Sequence, residues 1–505
     1  MKNLVISVPR LEIHRPPVST AIVAEVIRSH GHEVQALDLN CEFFHYLSDR
    51  QAYYSYDEIW DGHRNPTFAE LKNTLRFIKT YLPKIKNYDQ LWISVFGSSA
   101  HLFTELLCLM IRKHLDKKRI ILGGQGAWSA EVINSKEGFG HRMKKKGLCD
   151  LYLVGEGESI IKQVLDGITV GSGISDESPV QINDLNILPI PNYSFYDLDR
   201  YDYLSKEKEV FITGSRGCVR RCTYCDVARY WPKFRYRSGS NIASEMIKHY
   251  EKHGVTQFYF TDSLINGSMK AFVDMCDQLA KYNTNHKAGF KWKGQFIFRP
   301  KNQLPLNHFS TVAAAGGDEF YVGVETGSEK IRWEMDKKFS NEDIDFQLEE
   351  FSKYGISVFF LMLIGYLTET LDDHKETMNM FKRWQKYVAT GTIKGIDLGK
   401  GLTFLPNTPL EKQIDKHGVY FLKGLNGVPD PELWQCRTNP NLDVAERIRR
   451  RLETHEEAIK YNWPIWRGTQ RLNNVKIMAE NYQKIISNNS NQIKKAKLDN
   501  LNFFE

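Results

Sequence analysis

The chain has 505 residues, of which 42% are hydrophobic and 12% aromatic, values typical of a globular protein with a large core. Lys and Arg exceed Asp and Glu by 68 − 61 = 7, too small an excess in so long a chain to indicate a nucleic-acid-binding protein. We expect two or three domains. The sequence shows neither a signal h-region nor an apolar run of membrane-spanning length, so we expect a cytoplasmic protein without a membrane partner.

The first 170 residues alternate between short apolar runs and segments with helical spacing. Strands are predicted at 4–9, 33–39, 91–96, 119–122 and 150–154. This order predicts a Rossmann-like open parallel sheet. The polar and glycine residues at or after its strand ends are Ser94, Ser98, Gly123, Gly124, Gly155 and Glu156. Strand ends line the ligand crevice of such a sheet, which predicts a bound flat or phosphate-bearing ligand, while turn chemistry is the structural alternative.

A linker and a second α/β region follow. Residues 171–205 are rich in Gly, Ser, Pro and Asp, which predicts a linker. From 206 to 415 strands and helices alternate again, which predicts a complete or partial (β/α) barrel with its active site at the C-terminal strand ends. Residues 416–505 lose this alternation and are predicted to be mostly helical, with a frayed tail.

Three cysteines stand together directly after the first predicted barrel strand. Cys218, Cys222 and Cys225 have the spacing C-x3-C-x2-C, and thiolates favour zinc or iron–sulfur centres. Structural zinc usually takes four ligands in paired spacing, and no fourth ligand stands near this segment in the sequence. Three cysteines on a [4Fe–4S] cube would leave one iron open for chemistry. The other five cysteines are scattered, which fits a reducing compartment.

The cysteine segment, with Tyr224 in its last gap and Ser215-Arg216-Gly217 before it, resembles the signature of the radical S-adenosylmethionine (SAM) enzymes. The resemblance implies that the three thiolates hold a [4Fe–4S] cluster and that SAM chelates its fourth iron. An electron from the cluster, supplied by a donor such as flavodoxin or ferredoxin, would cleave SAM to methionine and a 5′-deoxyadenosyl radical. That radical would abstract hydrogen from an unreactive C–H bond.

Later strand ends carry segments that are similar to further motifs of this family. They are 260–263 (FTDS), 323–328 (GVETGS), 363–370 (LIGYLTET) and 404–410 (FLPNTPL). The resemblance implies SAM contacts from Tyr224, Asp262, Glu325, Gly365 and Glu369. In the third segment Leu367 and Thr368 replace the usual Pro-Gly. A satisfied polar group at a strand end is the structural alternative for Asp262 and Glu325.

The first domain resembles the cobalamin-binding domain that precedes the barrel in one large radical SAM subgroup. Ser94-x-Phe96 and Gly123-Gly124 are separated by 26 residues (97 to 122), close to the S-x-L…GG spacing of that domain. The resemblance implies cobalamin contacts from Ser94, Ser98, Gly123, Gly124, Gly155 and Glu156. The D-x-H-x-x-G loop of some cobalamin domains is absent, because His14 lacks the required Asp and Gly, so cobalamin is expected base-off without a histidine ligand.

The leading hypothesis is a cobalamin-dependent radical SAM enzyme that methylates an unactivated carbon. Radical cyclisation, rearrangement or oxidation without methyl transfer is the first alternative. RNA modification is the second, supported by the weak positive charge and by the arginine-rich segment 447–451, for which a solvated helix face is the simpler interpretation. A cluster that serves only as a sensor or scaffold is the non-enzymatic alternative.

Overall fold

The structure is a computed structural model that describes residues 1–47, 49–62, 64–128, 137–176, 178–399, 401–424 and 427–501. Its contacts divide the chain into two units. The first unit comprises Met1–Ser215, Arg235–Thr261 and Ala288–Phe290. The second comprises Arg216–Phe234, Asp262–Lys287 and Lys291–Glu505.

The strands recur along most of the chain, as the sequence pattern predicts. They are β1 Lys2–Ser7, β2 Glu33–Asp38, β3 Gln90–Ser94, β4 Arg119–Gly123, β5 Leu151–Tyr152, β6 Glu209–Ile212, β7 Ser215–Arg216, β8 Arg235–Tyr236, β9 Gln257–Phe260, β10 Lys291–Phe296, β11 Gly317–Glu325, β12 Ser357–Met362, β13 Ile393–Asp397, β14 Val419–Lys423 and β15 Pro429–Cys436.

Helices connect most of these strands. The α-helices are α1 Val18–Ser29, α2 Leu39–Leu47, α3 Arg50–Ser55, α4 Asp57–Trp60, α5 Phe68–Ile85, α6 His101–His114, α7 Gln125–Trp128, α8 Phe139–Lys145, α9 Ile161–Leu165, α10 Val227–Tyr230, α11 Gly239–His253, α12 Met269–His286, α13 His308–Ala314, α14 Glu329–Glu334, α15 Asn341–Tyr354, α16 Leu371–Arg383, α17 Gln385–Ala389, α18 Ile414–His417, α19 Val444–Lys460 and α20 Gly468–Leu501. Within the described ranges, none of them combines the length and the apolar character that a membrane span requires.

The first sheet has five parallel strands in the order β2-β1-β3-β4-β5. Neighbouring residues of a strand point to opposite faces, so Leu4 and Ile6 lie in one core and Val5 in another. Burial of both faces explains why these strands are apolar throughout. The strand order reverses between β1 and β3, which creates the switch point at which such sheets bind ligands. The predicted Rossmann-like sheet is confirmed.

A second set of parallel strands supplies the predicted barrel-like region. In the first unit β6 pairs with β9. In the second unit the order is β13-β12-β11-β10, with every pair parallel. Helices begin where polar caps predict them to begin, because Ser340 and Thr370 form capping boxes at the starts of α15 and α16. The predicted α/β class, with a second parallel sheet, is confirmed.

The C-terminal region is less purely helical than the sequence predicts. Strands β14 and β15 form an antiparallel pair that joins a core with Trp434 at its centre. Helix α19 contains the arginine-rich segment 447–451, and it packs on α20 through Val444, Ile448 and Val475. The tail that the sequence predicts to fray continues as helix α20 to Leu501.

Candidate cofactor sites

The three cysteines lie on the irregular segment between β7 and β8, and all three side chains are half-buried. Burial raises the pKa of each thiol, that of Cys222 to about 11, and the nearby ammonium of Lys337 opposes this rise. The main-chain N–H of Arg220 donates to Cys218 Sγ at 3.4 Å. An amide donor and a cation both stabilise the thiolate form, which is the form that binds metal.

These features fit an iron–sulfur cluster, because its ligands are half-buried soft thiolates with hydrogen-bond donors to sulfur. In the described ranges, no group of three His, Cys, Asp or Glu side chains surrounds a position for a single metal ion. A cube offers a separate iron to each thiolate, so its ligands need not converge on one point. The assignment of Cys218, Cys222 and Cys225 as ligands stays a prediction.

Glu325 ends β11 in a buried polar cluster. Its Oε1 accepts hydrogen bonds from Lys337 Nζ at 2.6 Å and from the Tyr224 hydroxyl at 2.7 Å. Glu325 and Lys337 are 7% and 8% exposed. The backbone of Glu325 is left-handed (φ 68°), an uncommon state for a non-glycine residue that concentrates at functional sites. Two of the predicted SAM contacts, Tyr224 and Glu325, are therefore directly joined.

Lys337 is a member of this cluster that sequence reasoning missed. Burial alone would lower the pKa of Lys337. The negative charges of Glu325 and then Cys222 outweigh this effect and raise the pKa, so the side chain is an ammonium. The absence of a side chain at Gly323 leaves room for the ion pair, because a Cβ there would lie 2.3 Å from Glu325 Oε1 and 2.5 Å from Lys337 Nζ. No sequence pattern distinguishes Lys337 from its neighbour Lys338. Only the fold shows which of the two lysines contacts Glu325.

The rest of the GVETGS segment has structural roles. Ser328 caps α14 by accepting from the main-chain N–H of Ile331, and its hydroxyl donates to Asp373 at 2.8 Å. Gly327 approaches α16 so closely that a Cβ would lie 2.5 Å from the carbonyl oxygen of Glu376. The segment thus anchors the end of β11 to two helices and fixes the position of Glu325.

The loop after β12 carries the other predicted SAM contacts, Gly365 and Glu369. Glu369 accepts from the main-chain N–H of Gly365 at 3.1 Å and pairs with Arg450 of α19 at 2.8 Å. Burial raises the pKa of Glu369, and Arg450 opposes the rise. Gly365 is left-handed (φ 82°), and a Cβ would approach the side chain of Arg447 to 3.0 Å. Helix α19 therefore holds this loop.

The interpretation of segment 447–451 as a solvated helix face is wrong for three of its four arginines. Arg447, Arg450 and Arg451 are 3%, 3% and 7% exposed, and only Arg449 faces solvent. The Arg447 guanidinium stacks 3.7 Å from the centre of the Trp434 ring, and burial lowers its pKa to about 9. These arginines fill the interior, which removes one of the two observations that favoured RNA as a partner.

The segment after β9 holds Asp262, the remaining predicted SAM contact, which is 3% exposed. Four residues later Asn266 is tied to the end of the next strand. Its Nδ2 donates to the Ile297 carbonyl at 2.9 Å, and its Oδ1 accepts from the Ile297 N–H at 3.1 Å. This two-point tie fixes the two strand-end loops side by side in the second unit.

The carboxyl ends of the first sheet bring several predicted cobalamin contacts to one edge. Ser7 is in register with both Asp38 and Ser94, and Ser94 is in register with Gly123. Ser98 is exposed just beyond β3. These residues lie at the β1/β3 switch point, the position at which open parallel sheets bind their ligands.

Gly124 and Gly155 both need to be glycine for reasons of packing. Gly124 has φ 98°, and a Cβ there would lie 2.5 Å from the Val95 carbonyl oxygen. Gly155 has φ 91°, and a Cβ would lie 2.3 Å from the Val180 carbonyl oxygen. Turn geometry accounts for both glycines, and a ligand contact by either stays a prediction.

Glu156 has protein partners. It is 7% exposed, and its two oxygens pair with the guanidinium of Arg235 at 2.6 and 2.7 Å. It also accepts from the main-chain N–H of Ile182 at 2.5 Å. The bidentate buried pair joins the β5 loop to β8, and the hydrogen bond from Ile182 joins the same loop to the linker. The structure thus gives Glu156 a structural role, and its contact with cobalamin stays a prediction.

Residues 212–381, which contain the cysteine segment, Glu325 and Glu369, match the model of the Radical SAM superfamily. This region of the chain is therefore similar to the Radical SAM superfamily, as the sequence motifs predict. The superfamily is defined by SAM and a [4Fe–4S] cluster, so the match implies these cofactors, and the half-buried thiols fit the cluster.

The chain is similar to the anaerobic magnesium-protoporphyrin IX monomethyl ester cyclase of Rubrivivax gelatinosus, with 22% identity over 267 residues. The alignment covers 49% of this chain and 47% of that protein. The chain spans about half of the length of the curated relatives of this kind that it matches.

Two solved structures share the fold over most of the chain. The radical SAM methyltransferase TsrM from Kitasatospora setae, with cobalamin and a [4Fe–4S] cluster bound, matches with TM-score 0.59 and 14% identity over 89% of this chain and 82% of that one. The cobalamin-dependent radical enzyme OxsB, with aqua-cobalamin bound, matches with TM-score 0.62 and 17% identity over 90% of this chain and 66% of that one. At these identities the likeness concerns the fold.

Proposed function

We propose that this protein is a radical SAM enzyme that uses cobalamin to methylate an unactivated carbon. The observation that carries the proposal is the fold shared with TsrM over 89% of the chain, which includes both the open sheet and the second α/β region. The cysteine segment and the strand-end residues support it further. A one-electron donor such as flavodoxin or ferredoxin is the protein partner that this chemistry requires.

The second unit would hold the cluster and SAM. When bound, they supply one-electron chemistry at an unreactive C–H bond, and cobalamin supplies a carrier for the methyl group. Cys218, Cys222 and Cys225 would bind the cluster irons. Glu325 would bind a polar group of SAM, and its carboxylate is held for this task by Lys337 and Tyr224. Such prior orientation lowers the cost of binding, because fewer groups must be ordered.

The first unit would hold cobalamin at the carboxyl edge of its sheet. Ser94, Ser98 and Gly123 lie at this edge, and Gly124 lets the backbone turn there. The loop after β1 lacks the D-x-H-x-x-G pattern, so we expect the bound cobalamin to be base-off without a histidine ligand.

The test is anaerobic reconstitution with iron and sulfide, with and without cobalamin, followed by a turnover assay with methyl-labelled SAM. The proposal expects the absorption of a [4Fe–4S] cluster, retention of corrinoid through gel filtration, and 5′-deoxyadenosine on reduction. Cys222→Ala should lose both the cluster absorption and SAM cleavage. An enzyme that is active without corrinoid would rule out the methylation mechanism.

The second candidate is radical chemistry without methyl transfer. It is favoured by the similarity to the anaerobic magnesium-protoporphyrin IX monomethyl ester cyclase of Rubrivivax gelatinosus. Label from SAM separates the two candidates, since only methyl transfer places it in the product.

A further inference from the structure

Thr223 lies between the last two cysteines of the cysteine segment, and its polar groups contact three different parts of the second unit. Its main-chain N–H donates to the Met335 carbonyl at 3.2 Å, and its main-chain carbonyl accepts from the Leu410 N–H at 2.9 Å. Its hydroxyl lies 2.8 Å from the hydroxyl of Tyr366 and shares a hydrogen bond with it. The first two bonds hold the backbone, whereas the third depends on two side chains.

Tyr366 reaches Thr223 from a fixed position. It follows Gly365 in the loop between β12 and α16, residues 363–370. The side chain is 4% exposed, because its ring packs in the core that contains Trp434. Its hydroxyl donates to the Glu334 carbonyl at 3.5 Å, so the same oxygen can accept from the hydroxyl of Thr223.

The bond between the two hydroxyls joins two regions that the proposed chemistry uses. Gly365 and Glu369 of this loop are predicted SAM contacts, and the cysteines on either side of Thr223 are predicted cluster ligands. A ligand that restrains Gly365 also restrains Tyr366, because the two residues are consecutive. The hydrogen bond passes this restraint to Thr223 and to the cysteines beside it.

We propose that Tyr366 is a positioning residue, whose hydrogen bond to Thr223 couples ligand binding at loop 363–370 to the order of the cysteine segment. The inference rests on the proposed function, because it takes SAM as the ligand of this loop. The coupling needs no cluster, since the bond joins two parts of the chain directly. Coupling between two sites is reciprocal, so an ordered cysteine segment also strengthens ligand binding at the loop.

The experiment labels the thiols of the full-length, reduced, cluster-free protein with a maleimide, with and without S-adenosylhomocysteine as the probe. The three cysteines of the segment are half-buried and the other five are buried, so the fast labelling reports on the segment. We expect the probe to slow this labelling about fivefold in the parent protein, a usual size for coupling between sites.

Tyr366→Phe should abolish the slowing, because it removes the hydroxyl and keeps the packed ring. Thr223→Val removes the other hydroxyl, and the double variant should behave like each single variant, because all three lack the same bond. Tyr420→Phe is the matched control. The Tyr420 hydroxyl is exposed and donates to Gln435, so its removal should leave the slowing intact.

Equal slowing in the parent and in Tyr366→Phe overturns the inference. A parent protein whose labelling the probe does not slow overturns it too, and so does a loss of slowing in Tyr420→Phe. Tyr224 offers a parallel route, since its hydroxyl donates to Glu325. Loss of slowing in Tyr224→Phe but not in Tyr366→Phe would assign the coupling to that contact and reject the role of Tyr366.

Production of 5′-deoxyadenosine by the reconstituted parent protein separates this inference from the proposed function. Cleavage of SAM without coupling in the labelling assay rejects the role of Tyr366 alone. Coupling without cleavage of SAM rejects the proposed radical chemistry alone.

Discussion

Glu325 accepts hydrogen bonds from Lys337 and Tyr224 inside the protein, and its backbone is left-handed. An ion pair so deeply buried has a particular energetic property. The attraction between the charges and the cost of removing both from water are of similar size, so the intact pair adds little net stability. Removal of one partner is costly, because the other remains as an unpaired buried charge.

We predict that Glu325→Gln destabilises the cluster-free protein by about 3 to 5 kcal/mol, because it leaves the Lys337 ammonium buried without its anion. The measurement is urea-induced unfolding followed by circular dichroism. The double variant Glu325→Gln with Lys337→Met should recover a large part of the loss. If the two single losses simply add in the double variant, the pair does not interact as the structure indicates.

A second prediction at the scale of single residues concerns Gly327. Gly327→Ala should lower the free energy of unfolding by about 1 to 3 kcal/mol, because the new methyl group would meet the backbone of α16. Gly171→Ala is the control, since no atom lies within 4 Å of its added Cβ. Urea unfolding of both variants checks this, and equal stabilities would show that α16 can move away from β11 without cost.

Sequence reasoning predicts site residues where a motif has a fixed local spacing. The three cysteines and the segment around Glu325 fall in this class. Lys337 and Arg450 do not, because each meets its carboxylate through the fold, 12 and 81 residues away along the chain. Apolar periodicity and motif spacing describe local sequence, so they cannot predict either of these two long-range contacts.

At the scale of elements, helix α19 supports the loop after β12 through Arg447 and Arg450. We predict that Arg450→Gln destabilises the protein by about 3 to 5 kcal/mol, because Glu369 is left buried without its cation. Arg449→Gln on the exposed face of the same helix is the control, with an expected loss below about 1 kcal/mol. Urea unfolding gives both values, and similar losses would show that helix charge in general, and not the Glu369 pair, is responsible.

Helix α19 also predicts a response to pH. The hydrogen bond from Arg449, together with the charge of Arg450, lowers the pKa of Glu446 to about 2 from an ordinary value of 4.5. A depressed carboxyl pKa contributes stability that is complete above the ordinary value and is lost as pH falls through the folded value. The stability difference between the parent and Glu446→Gln should therefore be largest above pH 4.5 and shrink as pH falls toward about 2. Urea unfolding at pH 6 and pH 3 measures it, and a constant difference would contradict the assignment.

The elements themselves were largely predictable. Strand β1, helix α1 and the parallel sheet follow from alternating apolar runs and helical spacing, because burial on two faces requires apolar strands. The antiparallel pair β14 and β15 was missed, since the sequence of this segment is mixed in polarity and its pairing depends on the core around Trp434. The prediction that the arginines of α19 face solvent fails for a related reason. A charged residue in a helix normally marks the solvent face, and only the neighbouring Glu369 and Trp434 make the opposite arrangement stable.

At the scale of the whole molecule, the two proposed cofactor regions belong to separate units. We predict that they load independently. Ser94→Leu should abolish corrinoid retention and leave cluster absorption intact, because the larger side chain would occupy the edge of the first sheet. Cys222→Ala should have the reverse effect. Absorption spectra after reconstitution and gel filtration report both, and simultaneous loss in either variant would contradict independent loading.

The pairing of Glu369 with Arg450 has a consequence for where the second α/β region can be truncated. The family match ends at residue 381, whereas the cation that compensates Glu369 lies at 450. A chain ending just after segment 404–410 would keep every recognised motif and would still leave a buried carboxylate unneutralised. The segment that matches the family model is therefore shorter than the segment needed to pair every buried charge in this protein.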